Sequence, residues 1–362
     1  MEGKTNMSET QRSSGRIGEA MPLRMAIRGL AISQMLGAAC QLGLPDAMGD
    51  HDSIGIADLA DRLRCHEGAL YRLVRTLAAF GVFAIDAGGA VSHTDVSREL
   101  RGDAKAPQHL AARFWTLPAV WAAWGKLGEA VRTGQAAFPL ANDGRTFFGH
   151  LGETPADQHL FRSFMQSGFA GRHEAVAAAL ALGEAETVVD VGGGSGALLR
   201  AVLGQHHDAR GILYDRLEVV AGAPAVLDTP GLRGRCNVVG GDFFDAVPTG
   251  GTTYLLCWIL HDWPDEAAAA ILRSVRAAMP AGGRLVIVDR LLDADPGKCD
   301  LFDLLEDVNM LVLLGGRERT EAEFNSLMAA SGFAPITPVL VQPRFSLLET
   351  HPDRPAADGA QG

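Results

Sequence analysis

The chain has 362 residues, of which 47% are hydrophobic and 21% charged, and its formal net charge is −11. This size and balance fit a globular protein with a large core and room for more than one domain. An acidic chain does not present the basic surface of a nucleic-acid binder, and no run of 18 apolar residues marks a membrane span. The five cysteines (Cys40, Cys65, Cys236, Cys257, Cys299) are scattered and never form a C-x-x-C pair. They read as reduced thiols of a cytoplasmic protein, with neither a disulfide framework nor a zinc site.

Residues 1–18 are polar and carry no signal-peptide core. They and residues 350–362 read as disordered tails. Residues 23–44, LRMAIRGLAISQMLGAACQLGL, predict one helix too apolar to lie alone on a monomer surface. Next come IADLADRL and ALYRLVRTLAAFGVF, with Leu70, Leu73, Val74, Leu77 and Phe80 at helical spacing. Gly88-Gly89 then marks a hairpin. Two helices and a hairpin outline a winged helix over residues 19–106. Such a module binds DNA or serves packing and dimerisation. Its second helix carries Arg72 and Arg75 but no basic stripe, which favours dimerisation.

Residues 107–182 read as a helical linker that supplies substrate-pocket helices, at 108–134 and 156–182. Residues 183–349 change character. Strand-like runs at 187–191, 211–214, 236–239, 253–257 and 284–288 alternate with helical segments. This predicts an α/β, Rossmann-like, mostly parallel sheet. The last two runs, 333–340 and 344–348, are separated by VQP, too short for a crossover, so the final strand is antiparallel.

The stretch VVDVGGGSGALLR, residues 188–200, drives a strand into glycines and out into a helix. It contains no Lys, so it is not a phosphate-binding P-loop. A dinucleotide fingerprint is formally present at Gly192, Gly194 and Ala197, with Asp215 as the acidic residue after it. However, Asp190 lies in the first strand, Asp215 ends the second and Asp242 ends the third. Ligands of open α/β sheets bind at these carboxyl ends. Three carboxylates there suit hydroxyls and positive charge rather than a pyrophosphate. S-adenosylmethionine offers a ribose diol, an ammonium and a sulfonium. Taken alone, Asp242 also reads as a helix N-cap.

The segments VVDVGGGSG, GGDFF, WILHDWPDE, GGRLVIVDRLL and GGRERTEAEF follow one another in an order and spacing that resembles a known family. It is the S-adenosylmethionine-dependent small-molecule O-methyltransferases of the caffeate and hydroxyindole type, including bacterial members that tailor antibiotics and pigments. The resemblance covers residues 20–349. It implies a class I methyltransferase sheet and a homodimer formed through the N-terminal winged helix. It also implies S-adenosylmethionine as cofactor, S-adenosylhomocysteine as product and no metal. Carried over by position, Gly192 and Gly194 approach the methionyl part of the cofactor. Asp215 binds the ribose, Asp242 and Phe243 border the adenine, and Asp190 and Cys257 complete the cofactor site. Cys257 departs from the family pattern, where many members carry Lys or Arg. His261 matches the general base, flanked by Asp289 and Glu318.

His261 follows the strand-like TYLLCWIL, so it sits at the carboxyl end of the sheet. Its plainer reading is a core histidine or a cap, and Asp262 could cap the helix that HDWPDE opens. As a base it faces a phenol with a pKa near ~10, while imidazole lies near ~6.5. Full proton transfer would cost about 5 kcal/mol at ~1.36 per unit, so assistance within the transition state is the cheaper route. The acceptor is expected in an apolar, aromatic pocket built from Trp115, Phe161, Phe164, Met165, Trp258, Asn309, Met310 and Leu313. A phenolic polyketide and a phenazine-type heteroaromatic both fit. The competing readings are a winged-helix regulator, a nicotinamide-dependent oxidoreductase, and the same fold running N-methylation or non-methylating chemistry.

Overall fold

The computed structural model describes residues 22–50, 53–104, 108–168, 171–342 and 344–353. The tails expected at 1–18 and, for residues 354–362, at the other end lie outside the described residues. The chain divides into two compact units, Met1–Lys126 with Phe138–Gly168, and Leu127–Ala137 with Phe169–Gly362. The division runs through the segment read above as a linker.

In the first unit, the single helix expected over 23–44 is three: Leu23–Ile27, Gly29–Gln41 and Leu44–Met48. Arg28 interrupts the first pair with φ −90° and ψ 4°. Gly43, at φ +70°, ends the second, and Pro45 opens the third, a left-handed stop followed by a preset start. Helices Ile56–Leu63 and Glu67–Ala79 follow. Strands β1 (Ile54–Gly55), β2 (Phe83–Ile85) and β3 (Ala90–His93) form an antiparallel sheet with β3 in the middle. The winged-helix outline therefore forms, with its hairpin turning through Gly89 at φ +84°. Leu59, Leu70, Val74, Leu77, Phe83 and Val91 fill its core. Leu23, Ile27 and Leu30 stay more than 60% exposed.

The helix expected over 108–134 is also three pieces, His109–Trp115, Pro118–Trp124 and Leu127–Thr133, because Pro118 restarts the chain at a first helical position. The one expected over 156–182 becomes Pro155–Gly168 and Arg172–Ala179.

The second unit is built on β4 (Thr187–Val191), β5 (Arg210–Asp215), β6 (Cys236–Gly240), β7 (Thr253–Cys257) and β8 (Arg284–Asp289), all parallel. Two-residue strands β9 (Leu291–Leu292) and β10 (Arg319–Thr320) pair with each other. Strands β11 (Thr337–Gln342) and β12 (Phe345–Thr350) add the antiparallel edge. The seven-stranded order is β11-β12-β8-β7-β4-β5-β6. Alternate residues feed two cores: Val189, Tyr254, Leu256 and Ile287 on one, Val188, Leu213, Leu255 and Val286 on the other. Burial on both faces explains the continuous apolar runs of β4, β7 and β8, while the edge strand β6 stays largely exposed.

Two expectations at the end need correction. The run expected to start at 333 becomes strand only at Thr337, because Asn325 Oδ1 takes the Ile336 amide at 2.8 Å and Phe333 bridges Pro352 instead. Residues 350–353 therefore belong to the fold rather than to a tail. Among the described residues no helix is long and apolar enough to cross a membrane.

Candidate active site

The chain runs β4 to β5 to β6 on one side, then returns to place β7 on the other side of β4. The carboxyl ends of β4 and β7 thus flank a topological switch point, where open α/β sheets hold their ligands. The glycine turn leaves β4 there, and the His261 segment leaves β7 there.

The turn has the backbone its glycines predict. Gly192 and Gly194 lie at φ +74° and +60°, a region costly for residues with a Cβ. A Cβ on Gly192 would meet Ile259 Cδ1 at 2.5 Å, so the turn packs directly on the segment leading to His261. A Cβ on Gly194 would meet nothing within 4 Å. Asp215, at the end of β5, accepts the Gly194 amide at 2.9 Å and the Arg216 amide at 2.7 Å, which ties the turn to the neighbouring strand end. Burial raises its pKa despite these bonds. Open backbone beside a carboxylate with lone pairs to spare fits a nucleoside ribose.

Asp190 lies beneath the turn, 1% exposed. Neither of its oxygens has a hydrogen-bond partner. Burial, aided by Asp215, pushes its pKa up to about 7. Asp242 is exposed, and its side chain accepts the Phe244 amide at 2.9 Å. It caps a turn, not a helix. Phe243 packs edge-on against Trp263 at 6.1 Å. Cys257 ends β7, and burial, with Asp190 and Asp289 nearby, raises its thiol well above the ordinary value.

After β7 the chain strains. Trp258 has φ +57°, a conformation that costs a bulky residue on the order of 1–3 kcal/mol and clusters at functional sites. Its amide is held by Val288 O at 2.9 Å. The Arg290 guanidinium lies 5.2 Å over its ring, and the His261 ring lies 5.6 Å away. A short 3-10 turn, Leu260–Asp262, carries His261. The following helix, Asp265–Ala278, has Pro264 at its N-cap and no side-chain cap. The expectation that Asp262 caps it therefore fails. Asp262 instead puts Oδ1 3.4 Å from His261 Nε2.

His261 is 8% exposed. Its Nδ1 donates to Glu318 Oε1 at 3.0 Å. The same oxygen accepts Arg290 Nη1 at 3.0 Å. Burial would raise the Glu318 pKa, but His261 and Arg290 hold it below the usual carboxylate value. An ionised carboxylate only accepts, so the Nδ1 proton is fixed and Nε2 is the nitrogen left for an acceptor. Burial disfavours charge on the imidazole, yet Glu318, Asp289 and Asp262 outweigh it and push its pKa up to about 10. Asp289, expected beside Glu318 as an orienting group, makes no hydrogen bond to the ring. It is 0% exposed, both its oxygens lack hydrogen-bond partners, and burial lifts its pKa to about 7. It acts on His261 through charge alone.

The GGRERT segment forms the opposing wall. A Cβ on Gly316 would sit 2.0 Å from His261 O, so only glycine permits this approach. The Arg317 amide donates to His261 O at 2.9 Å. Arg319, 1% exposed, donates to Leu260 O and Trp263 O, each at 2.8 Å. Gly316, Arg317, Arg319, Asp262 and Arg290 escaped the sequence reading of the site. Their signal was the GGRERT, HDWPDE and GGRLVIVDRLL segments themselves, read there for one site residue each.

The expected acceptor residues fall into two sets. Trp115, Phe161, Phe164 and Met165 belong to the first unit, all partly buried. There Phe164 stacks on Phe114 at 4.9 Å, and Trp115 meets Phe164 edge-on at 6.3 Å. Trp258, Asn309, Met310 and Leu313 belong to the second. Asn309, Met310 and Leu313 lie on the helix Leu301–Leu313 and are buried. Asn309 donates to Glu306 at 3.3 Å, and its Oδ1 is buried without a hydrogen-bond partner among the described residues.

Residues 124–334 match the O-methyltransferase domain, and residues 25–102 match the O-methyltransferase dimerisation domain. The mitomycin biosynthesis 6-O-methyltransferase of Streptomyces lavendulae is 38% identical over 84% of this chain and 86% of its own length. The phenazine O-methyltransferase of Lysobacter antibioticus is 36% identical over 96% and 100%. Among solved structures, an O-methyltransferase from neocarzinostatin biosynthesis, in complex with S-adenosylmethionine and 2-hydroxy-5-methyl naphthoic acid, is 32% identical. It superposes with a TM-score of 0.80 over 93% of this chain and 99% of that one.

Proposed function

Given that the chain belongs to the O-methyltransferase family, we propose that it transfers a methyl group from S-adenosylmethionine to a hydroxyl of an aromatic secondary metabolite, with His261 as general base. The acceptor class is a phenolic polyketide or a phenazine-type heteroaromatic, as the relatives' own substrates suggest. The match of residues 25–102 to the dimerisation domain and the exposed Leu23, Ile27 and Leu30 support a homodimer.

One observation carries the chemistry: a buried imidazole at the carboxyl end of β7, its Nδ1 held by Glu318, beside the glycine turn. Gly192 and Gly194 let backbone approach the cofactor, Asp215 takes the ribose hydroxyls, and Asp242 and Phe243 border the base. Asp190 in β4 and Cys257 at the end of β7 complete the cofactor site; burial keeps the thiol neutral, and charge on the Asp190 carboxyl favours the cofactor's ammonium and sulfonium. S-adenosylmethionine, when bound, supplies an electrophilic methyl on a sulfonium whose positive charge works against the imidazolium. Glu318, Asp289 and Asp262 raise the His261 pKa above that of a free imidazole, which narrows its gap to a phenol near ~10 and makes the proton transfer less uphill than it would be to a free imidazole. Asp289 and Asp262 stabilise the imidazolium as it forms. Alignment of acceptor oxygen and methyl carries much of the remaining rate.

The test is mass spectrometry of the purified protein with S-adenosylmethionine and a panel of phenols and hydroxyphenazines. A methyl on oxygen supports the reading, a methyl on nitrogen favours the alternative chemistry, and no transfer with any acceptor counts against it.

A further inference from the structure

We infer that Arg319 is the positioning residue of the His261 base, because its buried guanidinium brackets the backbone on both sides of that histidine. Nη1 donates to Leu260 O, immediately before His261, and Nη2 to Trp263 O, two residues after it, each at 2.8 Å. Nε donates to Asp265 Oδ1 at 2.9 Å. Three donors of one planar fork thus fix three acceptors spread along residues 260–265.

The 3-10 turn needs such a partner. It runs into Pro264, which has no amide to offer, and the one bond that Leu260 O receives within the turn, from the Trp263 amide, is long at 3.3 Å; Arg319 adds the shorter one and reaches on to Trp263 O. A lysine ammonium is a point charge without the fork and cannot reach all three acceptors at once. Packing alone would not call for a cation, since a buried charge is costly and an apolar side chain of like volume often serves as well. The neighbours act on the same segment. Glu318 holds the ring, the Arg317 amide holds His261 O, and β10, which begins at Arg319, is tied to β9 just beyond Asp289. Arg319 and Glu318 are adjacent in sequence, so the residue that sets the backbone of His261 and the residue that sets its ring move as one piece.

The inference deepens the proposed function and rests on His261 as base. Its test separates the two. Arg319→Lys and Asp265→Asn are prepared in the full-length protein, together with His261→Gln. Asp265 is largely exposed, so its variant folds even where a buried change does not. Histidine-labelled protein is titrated by NMR to follow His261, and kcat, acceptor KM and cofactor affinity are measured.

Arg319→Lys is expected to lower kcat about 10–100-fold, the scale of a small misplacement, with KM and cofactor affinity within about twofold. Its His261 titration is expected to move down by about one pH unit or more as the ring loosens from Glu318. Asp265→Asn, which keeps both carbonyl bonds, shifts both readouts the same way by less. An unchanged His261 titration in whichever of the two variants folds, with activity lost only in proportion to stability, would overturn the inference and leave Arg319 a structural residue. Full activity in His261→Gln would instead overturn the base, while the titration still decides whether Arg319 sets the histidine.

Discussion

His261 Nδ1 and Glu318 Oε1 lie 3.0 Å apart across 57 residues of sequence. The pair closes two loops onto each other: HDWPDE follows β7 of the large sheet, and GGRERT leads into β10, which pairs with β9 just after β8. Because Glu318 is ionised and Arg290 shares its oxygen, the histidine is both oriented and charged. It reaches its base form only after giving up the proton that Glu318, Asp289 and Asp262 help it keep.

Activity is accordingly expected to rise with pH from neutral toward the alkaline range. Glu318→Gln removes the leading favourable charge on the imidazolium, so the His261 pKa falls and the rising limb of kcat/KM moves to lower pH. The maximal rate falls too, since the ring loses its anchor. A pH–rate profile of the two proteins checks this. A limb that stays in place would mean that Glu318 does not govern the histidine.

The same cluster acts on stability. The folded pKa of His261 lies above its unfolded value, so its contribution is fully present below about pH 6.5. It is lost as pH rises toward 10. Asp289 has the same sign, since a raised carboxyl pKa also favours the folded state only at lower pH. Thermal melting is therefore expected to decline from about pH 6 to 10 in the wild type, and to decline less in a His261→Gln, Asp289→Asn double variant. Equal declines would contradict the assignment.

Gly316→Ala places a methyl against the backbone of His261 and Asp262, at 2.0 and 2.4 Å. Backbone cannot give way like a flexible side chain, so the loss of stability is expected at or beyond the upper end of the about 1–3 kcal/mol overpacking range. Denaturant unfolding measures it. Gly194→Ala is the contrast: no neighbour crowds it, and its cost comes from φ +60° alone. A smaller loss for Gly316 than for Gly194 would contradict the close approach.

Asp215→Ala removes a carboxylate that accepts two backbone amides and faces the expected ribose. A charge-assisted hydrogen bond contributes about 1.5–3 kcal/mol, so calorimetry should show S-adenosylhomocysteine binding at least roughly 10-fold weaker. Binding within twofold of wild type would remove Asp215 from the cofactor site.

What could be read from the sequence was what is local. Parallel strands buried on both faces are unbroken apolar runs, and the glycines after β4 declare a turn that no other residue allows. His261 stood out through the resemblance carried by WILHDWPDE, and the strand-like run before it placed it at the carboxyl end of the sheet. The choice between Asp289 and Glu318 as the ring's partner was not legible, since it depends on the two-residue pairing of β9 with β10. Nor was Arg319. A cation in an acidic chain reads as surface, and only the folded loop supplies the carbonyls that let it be buried. The single helix expected over 23–44 failed for the opposite reason, because continuous apolarity hid the local breaks at Arg28 and Gly43.

The central claim is that His261 removes the acceptor's proton, and a substrate series in His261→Ala tests it most directly. With an ordinary phenol the variant is expected to lose about 10²–10⁴ in rate, the range for loss of a general base. With a phenol of pKa near or below ~7, already ionised at neutral pH, the variant is expected to recover most of that loss, because nothing remains to be deprotonated. An equal loss on acidic and ordinary phenols would contradict the account and make His261 a residue that places the acceptor.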